Sequence, residues 1–341
     1  MLATNEQWTR LYETALAFKA AQPWKQLDNS HLFGIKDPDS DLTGYCCVMG
    51  AGGELYGLAL YFGKAGLNTV IDMLNGDSHG DPMFIQHCLM LSFDDREDLQ
   101  PEERNRIKDL GFKFRGRGAW PSFKLHEPGY YPWPIKAASD VVFLTYALEQ
   151  TLHIALEASE EPDSYFERVE GKIPTLLADR QADNSLHWKI ERLLPEEDQS
   201  GFVPAAPQPI DELQLAKVRK SLQGQGGIWE IGCFFMPTPV GDRERPYFPM
   251  IMLLVDQQSN QILVMELFDH LEASVVIPKK LLDFISSSRV VPSQLLTSDP
   301  KLLNDLKAIA KSLKIPTHLA NAPLLFDEVK ESLIHSMLAR N

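Results

Sequence analysis

The stretch YFPMIMLLVDQQSNQILVMELF, residues 247–268, decides the fold of the second half of the chain. Two apolar runs, Tyr247 to Val255 and Gln261 to Phe268, flank the polar segment at 256–260. Apolar runs of this length on either side of a short polar turn are typical of a β-hairpin. A third apolar run, Ile228 to Met236, precedes them, so the sequence predicts three consecutive strands.

Helical and strand-like segments alternate after this hairpin. We predict a helix over 279–287, a strand over 290–297, a helix over 299–313, a short strand over 316–320 and a final helix over 324–338. Asp299 followed by Pro300 is typical of a helix start, because Asp caps a helix and Pro suits its first position. Three strands followed by helix, strand, helix, strand and helix is the element order of the ribonuclease H-like fold. Other α/β folds share this order.

The first half has a related order of elements. We predict a helix over 5–21, a strand pair over 44–50 and 55–62, and a long helix over 139–159. A chain of 341 residues exceeds the usual length of one domain, about 100–200 residues. The sequence therefore predicts an α+β (α/β-type) protein of two related domains, each a mixed sheet with helices. The second domain is the candidate for a ribonuclease H-like topology.

The tract 160–210 is rich in proline and acidic residues and is the candidate linker region. Within it, Ser185 to Leu194 has the alternation of an amphipathic strand. We therefore place the first domain at 1–200, a linker at about 195–210, and the second domain at 211–341.

The composition indicates a soluble, acidic protein of the cytoplasm. The net charge is -14 and the pI is about 5.1, so the overall field repels nucleic acid and anionic membranes. No run of 18 apolar residues is present, which predicts no membrane partner. Cys46 and Cys47 are adjacent in an apolar run, so on a strand their side chains diverge. With Cys88 and Cys233 they are interpreted as small buried hydrophobes in a reducing compartment.

Four segments carry a resemblance to a known family. They are WTRLYETALAFKAAQPWKQL (8–27), GYCCVMGAGGELYGLALYFG (44–63), PMIMLLVDQQSNQILVMELF (249–268) and SDPKLLNDLKAIAKSLKIP (298–316). Together they resemble a bacterial family made of two adjacent domains, both of unknown function. The resemblance implies a two-domain architecture and a bacterial origin, and it implies no particular activity.

One hypothesis for the site follows from the second domain's element order. Ribonuclease H-like nucleases gather carboxylates around two divalent cations, on the first strand, after the fourth strand and on the last helix. The candidates here are Asp299, Glu328, Glu331 and, for the first strand, Glu230 or Asp256. Magnesium or manganese would suit such oxygen ligands. The alternative is that Asp299 is a helix cap, Asp256 a turn residue, and both helical glutamates a solvated face.

A second hypothesis concerns the segment FKFRGRGAWPSFKLHEPGYYPWPI, residues 112–135, which is rich in cations, aromatics, Gly and Pro. Its candidate binding residues are Lys113, Arg115, Arg117, Trp120, Lys124, Tyr130, Tyr131 and Trp133. Cations interleaved with aromatic rings suit a phosphorylated ligand or a single-stranded nucleic acid. An ordinary hairpin tip with aromatics packed on a core explains the same composition.

The usual nucleotide-binding, hydrolase and zinc-protease motifs are absent from the sequence. We therefore expect a non-catalytic binding or regulatory protein with no confidently predicted cofactor or metal. The alternatives are a metal-dependent nuclease, or a degenerate ribonuclease H-like protein, and a protein-interaction module.

Overall fold

The computed structural model describes residues 1–76, 81–158, 161–196, 212–241, 245–320 and 324–339. The chain divides into two compact units, Met1–Gly201 and Phe202–Asn341. Each unit has its own hydrophobic core and is built on one mixed sheet with helices, as the α+β prediction requires. No helix in the described part of the chain combines the length and apolar character needed to cross a membrane.

An eight-stranded sheet forms the centre of the first unit. Its strands are β1 (Phe33–Lys36), β2 (Thr43–Met49), β3 (Gly57–Phe62), β4 (Cys88–Asp94), β5 (Trp120–His126), β6 (Trp133–Pro134), β7 (Ile173–Arg180) and β8 (Leu186–Leu193). The helices are α1 (Asn5–Ala21), α2 (Gly63–Asn75), α3 (Pro82–Ile85), α4 (Pro101–Asp109), α5 (Ala138–Glu157) and α6 (Pro162–Tyr165). The strand order is β6-β5-β4-β3-β2-β1-β7-β8, and only β1 and β7 pair in parallel.

Helices cover both faces of this sheet. The residues of α1 and α5 pack on the face that carries Cys46, and α2 packs on the face that carries Cys47. The prediction that the two cysteines diverge on a strand is therefore confirmed. Cys88 is also buried, while Cys233 in the second unit is partly exposed.

The structure corrects the interpretation of the tract 160–210. Residues 161–196 belong to the first unit, because β7 pairs with both β1 and β8 in its sheet. The predicted amphipathic strand is β8, at the edge of the sheet. Residues 197–211, which include most of the expected linker, lie outside the described residues.

A five-stranded sheet forms the centre of the second unit. Its strands are β9 (Gly224–Phe235), β10 (Met250–Asp256), β11 (Gln261–Phe268), β12 (Val290–Thr297) and β13 (Thr317–Leu319). Its helices are α7 (Glu212–Ser221), α8 (Ala273–Ser288), α9 (Pro300–Leu313) and α10 (Leu325–Leu338). The order is β11-β10-β9-β12-β13, with β9, β10 and β11 antiparallel and β12 and β13 parallel to β9.

This strand order places the first strand at the centre and is the one expected for a ribonuclease H-like topology. Helices α7, α8 and α9 pack on one face of the sheet and α10 on the other. The first unit does not share the order, since its consecutive strands β1 to β6 are all neighbours. The predicted order of elements suggests that the two halves are related, but the strand orders of their sheets do not show this relation.

Candidate functional site

Helix α4 has a buried face and an exposed face. Its start is held by Glu103, whose Oε2 accepts from the backbone N–H of Gln100 at 2.8 Å. Glu103 and Ile107 are buried in the first unit. Arg104 and Lys108, four residues apart, share the outer face, because positions i and i+4 are neighbours on a helix. The buried face thus anchors the helix while the outer face displays two cations.

The buried carboxylate of α4 remains hydrogen-bonded behind this exposed face. The Ser122 hydroxyl of β5 donates to Glu103 Oε1 at 3.2 Å. Burial raises the pKa of the Glu103 carboxyl, which opposes its ionisation in the folded protein. The arrangement ties α4 to β5 by a contact that faces away from solvent.

The end of α4 reverses the chain through Gly111, whose φ is +79°. The Gly111 N–H donates to Lys108 O at 3.0 Å and the Phe112 N–H donates to Ile107 O at 3.0 Å. These are the bonds of a Schellman motif, which requires a left-handed residue that Gly adopts most easily. The turn brings the segment after α4 back alongside the helix.

Aromatic side chains then anchor the returning segment. The rings of Phe112 and Phe114 lie 5.1 Å and 6.2 Å from the ring of Tyr12. Lys113, between them, is exposed. At the start of β5, Trp120 lies with its ring 5.6 Å from that of Phe114. The inward phenylalanines therefore leave a cation and an indole at the surface beside α4.

Four cations and one indole line the resulting cleft of about 430 Å³. We call this surface the basic cleft, and its cations and indole are the side chains of Arg96, Arg104, Lys108, Lys113 and Trp120. No carboxylate lines it. None of the four cations forms an ion pair with another residue that the structure describes. The lining of the cleft therefore has four positive charges and no negative one, on a strongly acidic chain.

A second cavity, of about 570 Å³, adjoins the basic cleft and shares Arg96 and Trp120 with it. We call it the acidic cavity, since its lining adds Asp95, Glu97 and Asp98, together with Gly116 and Arg117. The guanidinium carbon of Arg96 lies 5.9 Å from the centre of the Trp120 ring. Opposite charges thus lie on the two sides of one Arg–Trp pair.

The acids of this cavity differ in what holds them. Asp95 Oδ1 accepts from the backbone N–H of Gly118 at 2.7 Å, and its Oδ2 lies 3.8 Å from Arg117 Nε. Glu97 and Asp98 are exposed, and neither carboxylate has a side-chain partner among the described residues. Two carboxylates of the acidic cavity are therefore open to a ligand.

The structure separates the residues of the predicted basic–aromatic tract. Lys113 and Trp120 line the basic cleft, and Arg117 lines the acidic cavity. The Nζ of Lys124 instead lies 3.4 Å from Asp94 Oδ2. The remaining candidates, Arg115, Tyr130, Tyr131 and Trp133, line neither space.

Three cations of the basic cleft were not among the residues predicted from the sequence. Arg96 comes from the 3₁₀ turn Arg96–Asp98, and Arg104 and Lys108 come from α4. The i, i+4 spacing of the two α4 cations is visible in the sequence. It does not show which part of the chain faces them, because that depends on the reversal at Gly111.

The predicted nuclease carboxylates of the second unit have structural partners or lie in solvent. Asp299 accepts from the backbone N–H groups of Lys301 at 2.8 Å and Leu302 at 3.2 Å, so it caps α9 as the sequence suggests. Asp256 Oδ1 accepts from the Gln258 N–H at 2.8 Å in the turn after β10. Both helical candidates on α10, Glu328 and Glu331, are exposed.

Glu230, on the central strand β9, is fully buried. Its Oε2 accepts from the Phe326 N–H at 2.7 Å, and the Gln257 amide donates to its Oε1. Its carboxylate therefore fastens the start of α10 to the sheet. Across the described ranges, no group of three or more His, Cys, Asp or Glu side chains is placed to hold a metal ion.

Comparisons with known proteins agree with the division into two units. Residues 8–175 match the model of a domain of unknown function, DUF7309, and residues 214–334 match that of a second, DUF6930. No curated protein matches the chain. The chain thus joins two domain families of unknown function, DUF7309 in its first half and DUF6930 in its second.

Proposed function

We propose that this is a non-catalytic binding protein of the bacterial cytoplasm that takes a phosphorylated ligand in the basic cleft. The observation that carries the proposal is the grouping of Arg96, Arg104, Lys108 and Lys113 around one indole without a carboxylate among them. Guanidinium and ammonium groups are the usual protein partners of phosphate, and charge-assisted hydrogen bonds of this type are strong.

The size and field of the cleft support this ligand class. A volume of about 430 Å³ falls within the range of small-molecule sites, which is roughly 300–1,000 Å³. The chain as a whole has a net charge of -14, so its long-range field repels anions. Binding therefore depends on close contacts with the unpaired cations and is expected to weaken as salt rises.

A titration of inorganic triphosphate, followed by calorimetry, tests the proposal. We expect the wild type to bind and the double variant Arg104→Ala/Lys108→Ala to lose at least about tenfold in affinity, since each charged hydrogen bond contributes about 1.5–3 kcal/mol. Alanine preserves the helix because it has the best helix propensity.

The matched control is the double variant Lys25→Ala/Arg168→Ala. It removes the same charge from two exposed sites of the first unit that do not line the basic cleft. Equal weakening by both double variants would contradict a local site. Failure of the wild type to bind would favour a protein-interaction module.

The strand order of the second unit favours a second candidate, a metal-dependent nuclease or a degenerate descendant of one. The hydrogen bonds that Asp299 and Glu230 make within the protein support the degenerate form, in which the sheet is a scaffold. Thermal unfolding of wild type and Asp299→Asn with manganese distinguishes the two, because Asn also caps helices well. If the sheet is a scaffold, wild type and Asp299→Asn should unfold at the same temperature with manganese. If manganese stabilises the wild type and not the variant, the residues form a nuclease site.

A further inference from the structure

Trp120 and Arg96 stand between two spaces of opposite charge. On one side lie the other three cations of the basic cleft. On the other lie the open carboxylates Glu97 and Asp98, beside Asp95 and Arg117, whose charges offset each other at 3.8 Å. A simple inorganic phosphate would use only the basic side. A ligand that uses the whole surface needs an anionic end, a planar apolar middle and an end that donates hydrogen bonds.

We propose that the ligand is a guanine nucleotide, with its phosphates in the basic cleft, its base on Trp120 and the N–H groups of the base directed to the acidic cavity. The proposal rests on the function proposed above and names the ligand class of the same site.

The indole is held in place to act as a stacking surface. The ring of Phe114 meets it edge-on at 5.6 Å, and Phe114 itself packs near Tyr12 of the first unit's core. The guanidinium carbon of Arg96 lies 5.9 Å from the centre of the Trp120 ring. Because the Arg96 side chain is exposed, it is free to rotate away from a bound base or to cover it. Stacking of a base on an aromatic or guanidinium plane is a common mode of nucleotide recognition.

The acidic side selects among bases. A carboxylate only accepts hydrogen bonds, so it prefers an edge that offers adjacent donors. Guanine offers a ring N–H beside an amino group, whereas adenine offers a ring nitrogen acceptor beside its amino group. Glu97 and Asp98 therefore favour guanine.

The same carboxylates disfavour a longer single strand. A polynucleotide that stacked one base on Trp120 would carry further phosphates beyond it. A strand that continued into the acidic cavity would bring those phosphates toward Glu97 and Asp98, where like charges repel. The charge pattern thus indicates a mononucleotide rather than a continuous strand.

The test is a set of calorimetric titrations with GDP, ADP and pyrophosphate, accompanied by tryptophan fluorescence. We expect the wild type to bind GDP at least tenfold more tightly than ADP and than pyrophosphate. The double variant Glu97→Gln/Asp98→Asn changes two exposed side chains and is expected to bind GDP and ADP equally. Trp120→Leu is expected to bind GDP no more tightly than pyrophosphate.

Each other outcome has a distinct meaning. Pyrophosphate bound as tightly as GDP overturns the nucleotide inference and leaves the proposed phosphate site intact. Equal affinity for GDP and ADP in the wild type overturns the guanine assignment. If a short single-stranded oligonucleotide binds more tightly than GDP, the mononucleotide assignment is overturned in favour of single-stranded nucleic acid. If none of the three ligands binds, the proposed function fails as well. If Trp120→Leu does not fold because it loses packing, Glu97→Gln/Asp98→Asn still tests the proposal, since it changes only exposed side chains.

Discussion

Gly57, at the start of β3, lies tightly against the neighbouring strand. A Cβ added there would lie 1.9 Å from the Leu91 carbonyl oxygen, so the backbone would have to move. Gly57→Ala is therefore expected to lower the free energy of unfolding by about 3 kcal/mol, as overpacking of a core does. Urea denaturation measures this change. Gly52→Ala is the control, because nothing lies within 4 Å of that position, and equal midpoints for the two variants would contradict the close approach.

The three buried thiols, Cys46, Cys47 and Cys88, are expected to be unreactive in the folded protein. Burial raises the pKa of all three, to about 12 for Cys47, so little thiolate forms at pH 8. Ellman's reagent should label none of the three rapidly in the native state and all four cysteines in guanidinium. Fast labelling of more than one thiol in the native protein would contradict the burial of these three, because only Cys233 is partly exposed.

For single residues, the sequence predicts which kinds of side chain line the basic cleft better than it predicts which individual residues do. The tract 112–135 supplies Lys113 and Trp120, but Lys124 approaches Asp94 instead. Arg104 and Lys108 join the cleft only because the chain reverses at Gly111 and the phenylalanines dock on Tyr12. Composition identifies a basic–aromatic segment, whereas the grouping depends on tertiary packing.

Helix α10 depends on an acceptor from another element. Its N-cap residue is Leu324, which has no side-chain oxygen, and Glu230 accepts the Phe326 N–H instead. Glu230→Ala is expected to lower the free energy of unfolding by about 1–3 kcal/mol, because the buried Phe326 N–H then has no side-chain acceptor. Chemical denaturation gives the loss. Glu328→Ala makes the same change on the exposed face of α10 and should have little effect. Equal losses in both variants would contradict the buried anchor.

At the scale of elements, strong periodicity and turn signals are reliable in this chain. The predicted segments 5–21, 290–297 and 299–313 agree closely with α1, β12 and α9, and the Asp299 cap is present. Strand β7 was not predicted, because Pro174 and the acidic residues around it are typical of a linker. Its pairing with β1 joins residues far apart in the sequence, so the local pattern does not reveal it. Residues 224–227, which include three glycines, extend β9 although glycine disfavours strands, because the neighbouring strand β12 supplies the pairing.

The whole molecule is expected to behave as two folding units. The cores of the first unit and of the second are composed of different residues, so fragments 1–196 and 212–341 should each fold alone. Circular dichroism and cooperative thermal unfolding of each fragment check this. The first fragment should retain triphosphate affinity and the second should have none. A fragment that unfolds without cooperativity, or binding that requires both, would contradict the division.

Hydrogen–deuterium exchange with and without saturating inorganic triphosphate tests the basic cleft most directly, because it reports where the ligand acts. We expect slower exchange in α4 and in residues 112–120, and unchanged exchange in α9 and α10. Protection confined to the second unit, or no protection in α4 at saturation, would contradict the assignment of the site.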